Sequence, residues 1–172
     1  MRNSRRYKID IFGLSNDTHQ FQFDYDESFF SEFENSLVNE GKGSCNVDLV
    51  KTDSMLNLTL GIEGTIKLIC DRSLESFDYP ISVQQELIFK YGDEEKELSE
   101  NVFVILKSTQ SINISYHLFE TISLEVPMKK LHPKFENESN EDELFYSSNS
   151  DEEKQENVDP RWEALKKLKP EE

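Results

Sequence analysis

Few side chains in this chain are fitted to covalent or acid–base chemistry. His19, His117 and His132 lie far apart, and none sits in a recognisable Ser–His–Asp or Cys–His context. The two cysteines are Cys45 and Cys70, and no CxxC pair exists. Structural zinc usually needs four ligands in close pairs, so no metal is expected. Both cysteines lie in apolar alternating stretches, where a reduced thiol serves as a small core residue. The six glycines form no phosphate-binding loop, and no DxDxDG-like calcium loop is present. Carboxylates are abundant, but mostly in runs that read as solvated segments rather than tuned pairs. These residues predict no catalytic group, no cofactor and no small-molecule substrate. A pocket gathering His117, Cys70 and a carboxylate within hydrogen-bond reach would reverse that expectation.

Charge narrows the partners. Against 19 Lys and Arg stand 35 Asp and Glu, a net charge of −16 over 172 residues. An acidity of this size repels phosphates, so indiscriminate nucleic-acid binding is disfavoured unless basic groups are gathered on one face. A basic partner fits the charge better. Basic groups concentrate at the chain ends: Arg2, Arg5 and Arg6, then Arg161, Lys166, Lys167 and Lys169. The opening MRNSRRYKIDIFGL is basic, but Asp10 interrupts it before any apolar run of signal-peptide length. No stretch of about 18 apolar residues could span a bilayer. The expected location is the cytoplasm, with no membrane partner.

Periodicity predicts the elements that must position any site. Ile9 and Ile11, then Phe21, Phe23 and Tyr25, alternate as short strands. Residues 27–40 change period: Phe29, Phe30, Phe33, Leu37 and Val38 recur at helical spacing, with Asp26 or Ser28 as cap and Gly41 or Gly43 as stop. The centre is strand. Cys45, Val47 and Leu49 share a face. Leu56, Leu58, Leu60, Ile62, Ile66, Leu68 and Cys70 make the longest alternation, interrupted only at Gly64. Gly61 and Gly64 read as a bend or bulge in this ribbon. After the polar break DRSLES, Ile81, Val83, Leu87, Phe89 and Tyr91 alternate as a returning partner strand, with Gln85 as the polar member. DEEKELSEN reads as a charged loop, and Val102–Leu106 as a further strand.

Residues 113–126 fit both periods. Leu118, Phe119 and Ile122 have helical spacing, while Ile122, Leu124 and Val126 alternate. The helix is preferred, ended at Pro127. From Glu136 to Asn157 there are nine acidic residues and one lysine, too little apolar surface to offset ordering entropy. Leu144, Phe145 and Tyr146 form an apolar island within it, either incidental or a docking motif. Asp159 and Pro160 then open a short helix in the expected way, with Trp162, Leu165 and Leu168 near one side. So short a helix needs a surface on which to bury Trp162, its own domain or a partner.

The fold expected is α+β: a coiled, mainly antiparallel sheet or open barrel with one N-terminal helix and a helix before Pro127. It divides into a domain at 1–135, a disordered acidic linker at 136–157 and a short C-terminal helix at 158–170.

Two stretches carry a family resemblance. One is the turn Cys70–Asp71–Arg72–Ser73–Leu74–Glu75 between two long strands. The other is VDPRWEALKKLK, from Val158 to Lys169. With INISYHLFETISLEVP between them, they resemble the YceD family, the large ribosomal RNA subunit accumulation proteins, over about residues 45–169. Ser73 stands where many members carry a second turn cysteine, and the later segment lacks their further cysteines. The resemblance therefore implies the general role without a metal.

That role is a non-enzymatic factor supporting accumulation of large-subunit ribosomal RNA, bound to RNA or to a pre-ribosomal particle. The binding candidates are Arg72, Leu74 and Glu75 on the turn, and Asp159, Pro160, Arg161, Trp162, Lys166 and Lys167 near the end. Phosphate contacts ask only for accessible positive charge, which Arg161 and the lysines supply. The alternative is an acidic module that holds a basic ribosomal protein, since an acidic segment can wrap a basic surface.

Overall fold

The computed structural model describes residues 6–33 and 36–138. Their elements run β1 (Lys8–Asp10), β2 (Thr18–Tyr25), α1 (Glu27–Phe30), β3 (Gly41–Lys51), β4 (Met55–Ile69), β5 (Ser76–Gly92), β6 (Lys96–Ser99), β7 (Val102–Leu106), β8 (Ser111–Asn113) and α2 (Ser115–Leu124), then a 3₁₀ turn at Pro133–Glu138. Six strands form one open sheet in the order β2-β3-β4-β5-β7-β6, and β1 pairs with β8 in a separate antiparallel ribbon. All pairings are antiparallel except β5 with β7.

The long alternation becomes the centre of the sheet. Leu58 of β4 lies opposite Leu49 of β3 and Leu87 of β5, and Ile62 opposite Cys45 and Val83. Leu56, Leu58, Leu60, Ile62, Ile66 and Leu68 are buried, while Glu63 and Lys67 between them face solvent. Full burial of one such side chain contributes about 1.5–3 kcal/mol. The ribbon β1–β8 and both helices add Ile9, Ile112, Phe29, Phe30, Leu118 and Ile122 to the same core. Pro80 lies in β5 where β4 is its partner and β7, which covers Ile88–Gly92, does not reach. A residue without an N–H suits such an edge.

Three sequence expectations are corrected. The helix expected over 27–40 is a single turn, Glu27–Phe30, capped by the Asp26 carboxylate accepting from the Ser28 N–H. Beyond it, the Ser36 hydroxyl accepts from the Val38 N–H at 3.1 Å. At this local turn Val38 is buried and Leu37 is 74% exposed, so the two do not share one apolar face. The stretch read as a charged loop contains β6, whose four residues are all exposed and which pairs with β7 at the sheet edge. A charged edge strand carries no apolar signal to read.

The third correction concerns Gly61 and Gly64, which make no bulge. The β3–β4 and β4–β5 registers run unbroken through both. Gly64 pairs with Gly43, and the Tyr25 ring occupies the gap they leave. Its hydroxyl donates to the Glu63 carbonyl at 3.4 Å. A Cβ on Gly64 would lie 2.4 Å from the Lys42 carbonyl oxygen and 2.4 Å from the Tyr25 hydroxyl.

The ambiguous segment is helical. Asn113 accepts from the Ser115 N–H at 2.9 Å, and Leu118 and Ile122 pack inward. Both cysteines are reduced and buried. The expected acidic linker begins inside the 3₁₀ turn. The rest of it, and the expected C-terminal helix, lie outside the described residues. No helix among the described residues is long and apolar enough to cross a membrane.

Candidate functional site

The turn between β4 and β5 is built by two backbone bonds. The Cys70 N–H donates to the Glu75 carbonyl and the Leu74 N–H to the Cys70 carbonyl, both at 2.9 Å. Closing so tightly places Leu74 in the left-handed region, at φ 58°, and leaves its side chain 78% exposed. A leucine there costs about 1–2 kcal/mol, and solvent exposure returns nothing. Glycine would relieve the strain but lose about 0.5–1 kcal/mol to unfolded-chain entropy. Leu74→Gly is expected to stabilise the fold by about 0.5 kcal/mol in urea unfolding.

A second segment, Lys129–Phe135, folds back onto this turn. The Asp71 N–H donates to the Lys130 carbonyl at 2.8 Å, and the Lys130 N–H returns to the Asp71 carboxylate at 2.7 Å. The Lys130 ammonium stands 3.8 Å from the same carboxylate. Lys134 pairs with Glu75, whose carboxylate also accepts from the Ser73 hydroxyl at 3.2 Å. These contacts hold the Glu75 carboxyl below its ordinary range, the Lys134 bond first among them. The Arg72 guanidinium lies 4.6 Å above the Phe135 ring, and the Lys134 ammonium 5.0 Å from it. Each cation–π contact contributes roughly 0.5–1 kcal/mol at an exposed site and fixes the cation over the ring.

Cys70 joins the two pieces. Its sulfur accepts from the His132 N–H at 3.3 Å, and the His132 ring lies tilted against Phe77 with centroids 5.5 Å apart. Burial alone would raise the thiol's pKa. Donors from Ser73, His132 and Arg72 outweigh it and bring the thiol from 9.0 down to about 7. Cys45 has no such donors, and burial pushes it up to about 12. The folded-state value of Cys70 is depressed, so the unfolded chain binds more protons between pH 7 and 9. Stability from the thiolate is then fully present above about pH 9 and lost as pH falls through about 7. The melting-temperature gap between wild type and Cys70→Ala is expected to widen on raising pH across that window. A gap that stays constant overturns this role for the sulfur.

The result is a local reversal of charge in an acidic chain. Arg72, Lys129, Lys130 and Lys134 stand against Asp71 and Glu75, four cations to two anions. Beside them runs a groove of about 340 Å³ whose lining includes the exposed Leu37 and Ile69 together with Glu40, Lys67 and Lys130, with Lys67 paired to Glu40 at 2.7 Å.

Arg72, Leu74 and Glu75 are thus brought into one surface, and the structure adds Lys129, Lys130, His132, Lys134 and Phe135. The signal for these was MKKLHPKF, a dense basic run directly after Pro127. Asp159, Pro160, Arg161, Trp162, Lys166 and Lys167 lie outside the described residues. Cys70 meets the backbone of His132, whereas His117 packs on Phe103 at 4.7 Å and Phe89 at 6.1 Å. The nucleophile, base and carboxylate constellation is therefore not assembled around them.

Comparison with protein families finds a match over residues 58–169 to the model described as large ribosomal RNA subunit accumulation protein YceD. Searches of curated proteins and of solved structures return no significant match.

Proposed function

The chain belongs to the YceD family, and from that membership we propose that it is a non-enzymatic cytoplasmic factor supporting accumulation of large-subunit ribosomal RNA by gripping RNA in a pre-ribosomal particle. One observation supports the contact assignment: Arg72, Lys130 and Lys134 meet where the Cys70–Glu75 turn and the Lys129–Phe135 segment pack together, with Lys129 next to them in the chain, in a protein of net charge −16. Phosphates are repelled by most of this surface and attracted here, so the charge distribution orients the RNA as well as binding it. The exposed apolar Leu74 is available to flank a base or a protein side chain at the same place. Nothing in this reading needs bond making or breaking. The protein holds and shields an immature particle.

The experiment is sedimentation of the protein with particles from a strain making large-subunit precursors, with and without nuclease. Association with the precursor that nuclease abolishes and salt weakens supports the proposal. Absence from every assembly particle, in cells whose ribosomes mature normally without the gene, overturns it.

A further inference from the structure

On the core-facing side of the sheet, α2 leaves a cleft of about 370 Å³ against β5 and the β6–β7 turn. Its lining includes Gln85, Glu100, Asn101, His117, Glu120 and Leu124. We propose that this cleft takes a lysine or arginine side chain from a basic polypeptide segment, which makes it a protein-docking site separate from the Arg72 surface.

The hydrogen-bonding inventory carries the argument. Gln85 is the one polar member of the inward-facing series of β5, and its amide donates to the Asn101 side-chain oxygen at 2.6 Å. The amide oxygen of Gln85 has no donor among the described residues. Glu100 and Glu120, approaching from different elements, meet no cation within ion-pair distance among them either. The Thr121 hydroxyl is already spent on the His117 carbonyl at 2.8 Å. Burial holds the His117 pKa below its usual value, against Glu120 and Glu97, which pull it up. The imidazole is therefore neutral near pH 7 and keeps an acceptor. The cleft thus offers several acceptors and few donors. Guanidinium and ammonium groups are the side chains with many donors and no acceptor.

The surroundings favour a polypeptide over a free amine. Residues 93–100 hold five carboxylates and one lysine, all eight exposed, and lead into Glu100 along the edge strand β6. Leu124, 79% exposed, adds an apolar rim. A chain with spaced cations would meet the acidic edge while one side chain enters the cleft. A volume near the lower end of ligand pockets, about 300–1,000 Å³, suits one or two side chains.

The test uses the full chain and a labelled twelve-residue peptide alternating arginine and glycine, with a citrulline-for-arginine counterpart. Glu100→Gln/Glu120→Gln is expected to weaken the arginine peptide at least about ten-fold. Asp48→Asn/Glu63→Gln, an equal charge change on the opposite face, is expected to weaken it less than about two-fold. In the wild type, the His117 imidazole proton resonance should shift saturably with peptide. Equal losses in the two double variants, or equal binding of the citrulline peptide, overturn the assignment. So does spermine binding as tightly as the peptide, or an oligouridylate displacing it. Unfolding curves show whether both variants fold. Neither touches Arg72 or the lysines, so failure here leaves the RNA proposal standing, and failure of RNA binding leaves this one.

Discussion

Neutralising Arg72, Lys129, Lys130 and Lys134 together, each to Gln, is expected to release the protein from large-subunit precursors. Each phosphate contact releases condensed counterions. Four contacts to single-stranded RNA therefore give a log–log salt slope of about −3, a roughly fifty-fold weakening between 50 and 200 mM salt. The wild type should show this slope and the quadruple variant should lose most of it. Single changes should each lower the slope by about 0.7. The fold survives because the charges contribute little to it. The Lys134–Glu75 and Lys130–Asp71 pairs are exposed, and such pairs contribute roughly 0–1 kcal/mol each. The bonds from the Asp71 N–H to the Lys130 carbonyl and from the Lys130 N–H to the Asp71 carboxylate do not depend on the lysine head group. Quantitative sedimentation or filter binding across a salt series reads the result. A quadruple variant with an unchanged slope would falsify this placement of the RNA contact. Loss of binding in the Glu100→Gln/Glu120→Gln variant, with the basic surface intact, would move it elsewhere.

Much of this surface was legible because alternation is a strong signal where it exists. The run from Leu56 to Cys70 placed β4 to within a residue, and its abrupt end in DRSLES located the turn that carries Arg72 and Leu74. The segment that completes the site was not legible as part of it. Lys130 and Lys134 are 59 residues from Asp71 and Glu75, their partners, and His132 is 62 from Cys70. Nothing local in MKKLHPKF states which loop it returns to. The same limit hid β6, where pairing with β7 rather than burial makes the strand. α1 failed in the opposite way. Its phenylalanine stripe is real, but the helix stops after one turn at Phe30, and beyond it the Ser36 hydroxyl accepts from the Val38 N–H in a local turn.

The glycine pair shows the limit most sharply, and it yields the largest expected effect on stability. From sequence, Gly64 is a missing side chain in an apolar series, and a bend is the local explanation. In the fold, the gap belongs to Tyr25, 38 residues from Glu63, to whose carbonyl its hydroxyl donates. Burial pushes that phenol up to about 12, so it stays a neutral donor through the physiological range. Gly64→Ala puts a methyl 2.4 Å from the Lys42 carbonyl oxygen and 2.7 Å from the Gly43 Cα. The tyrosine hydroxyl can retreat, but the paired backbone cannot without breaking the β3–β4 ladder. Overpacking of this kind costs about 3 kcal/mol, at the upper end of its usual range. For a chain of this size that lowers the melting temperature by about 6–12 °C. Gly61→Ala is the matched control three residues away in the same strand. Its new methyl meets only the Asn46 carbonyl oxygen, at 3.8 Å, and removing glycine from a strand interior favours the fold by about 0.5–1 kcal/mol. Opposite signs for the two alanines in thermal unfolding are the expected result. Two equal, small effects would mean that Tyr25 does not cross the sheet at Gly43 and Gly64, and that a bend at the glycines is the better account.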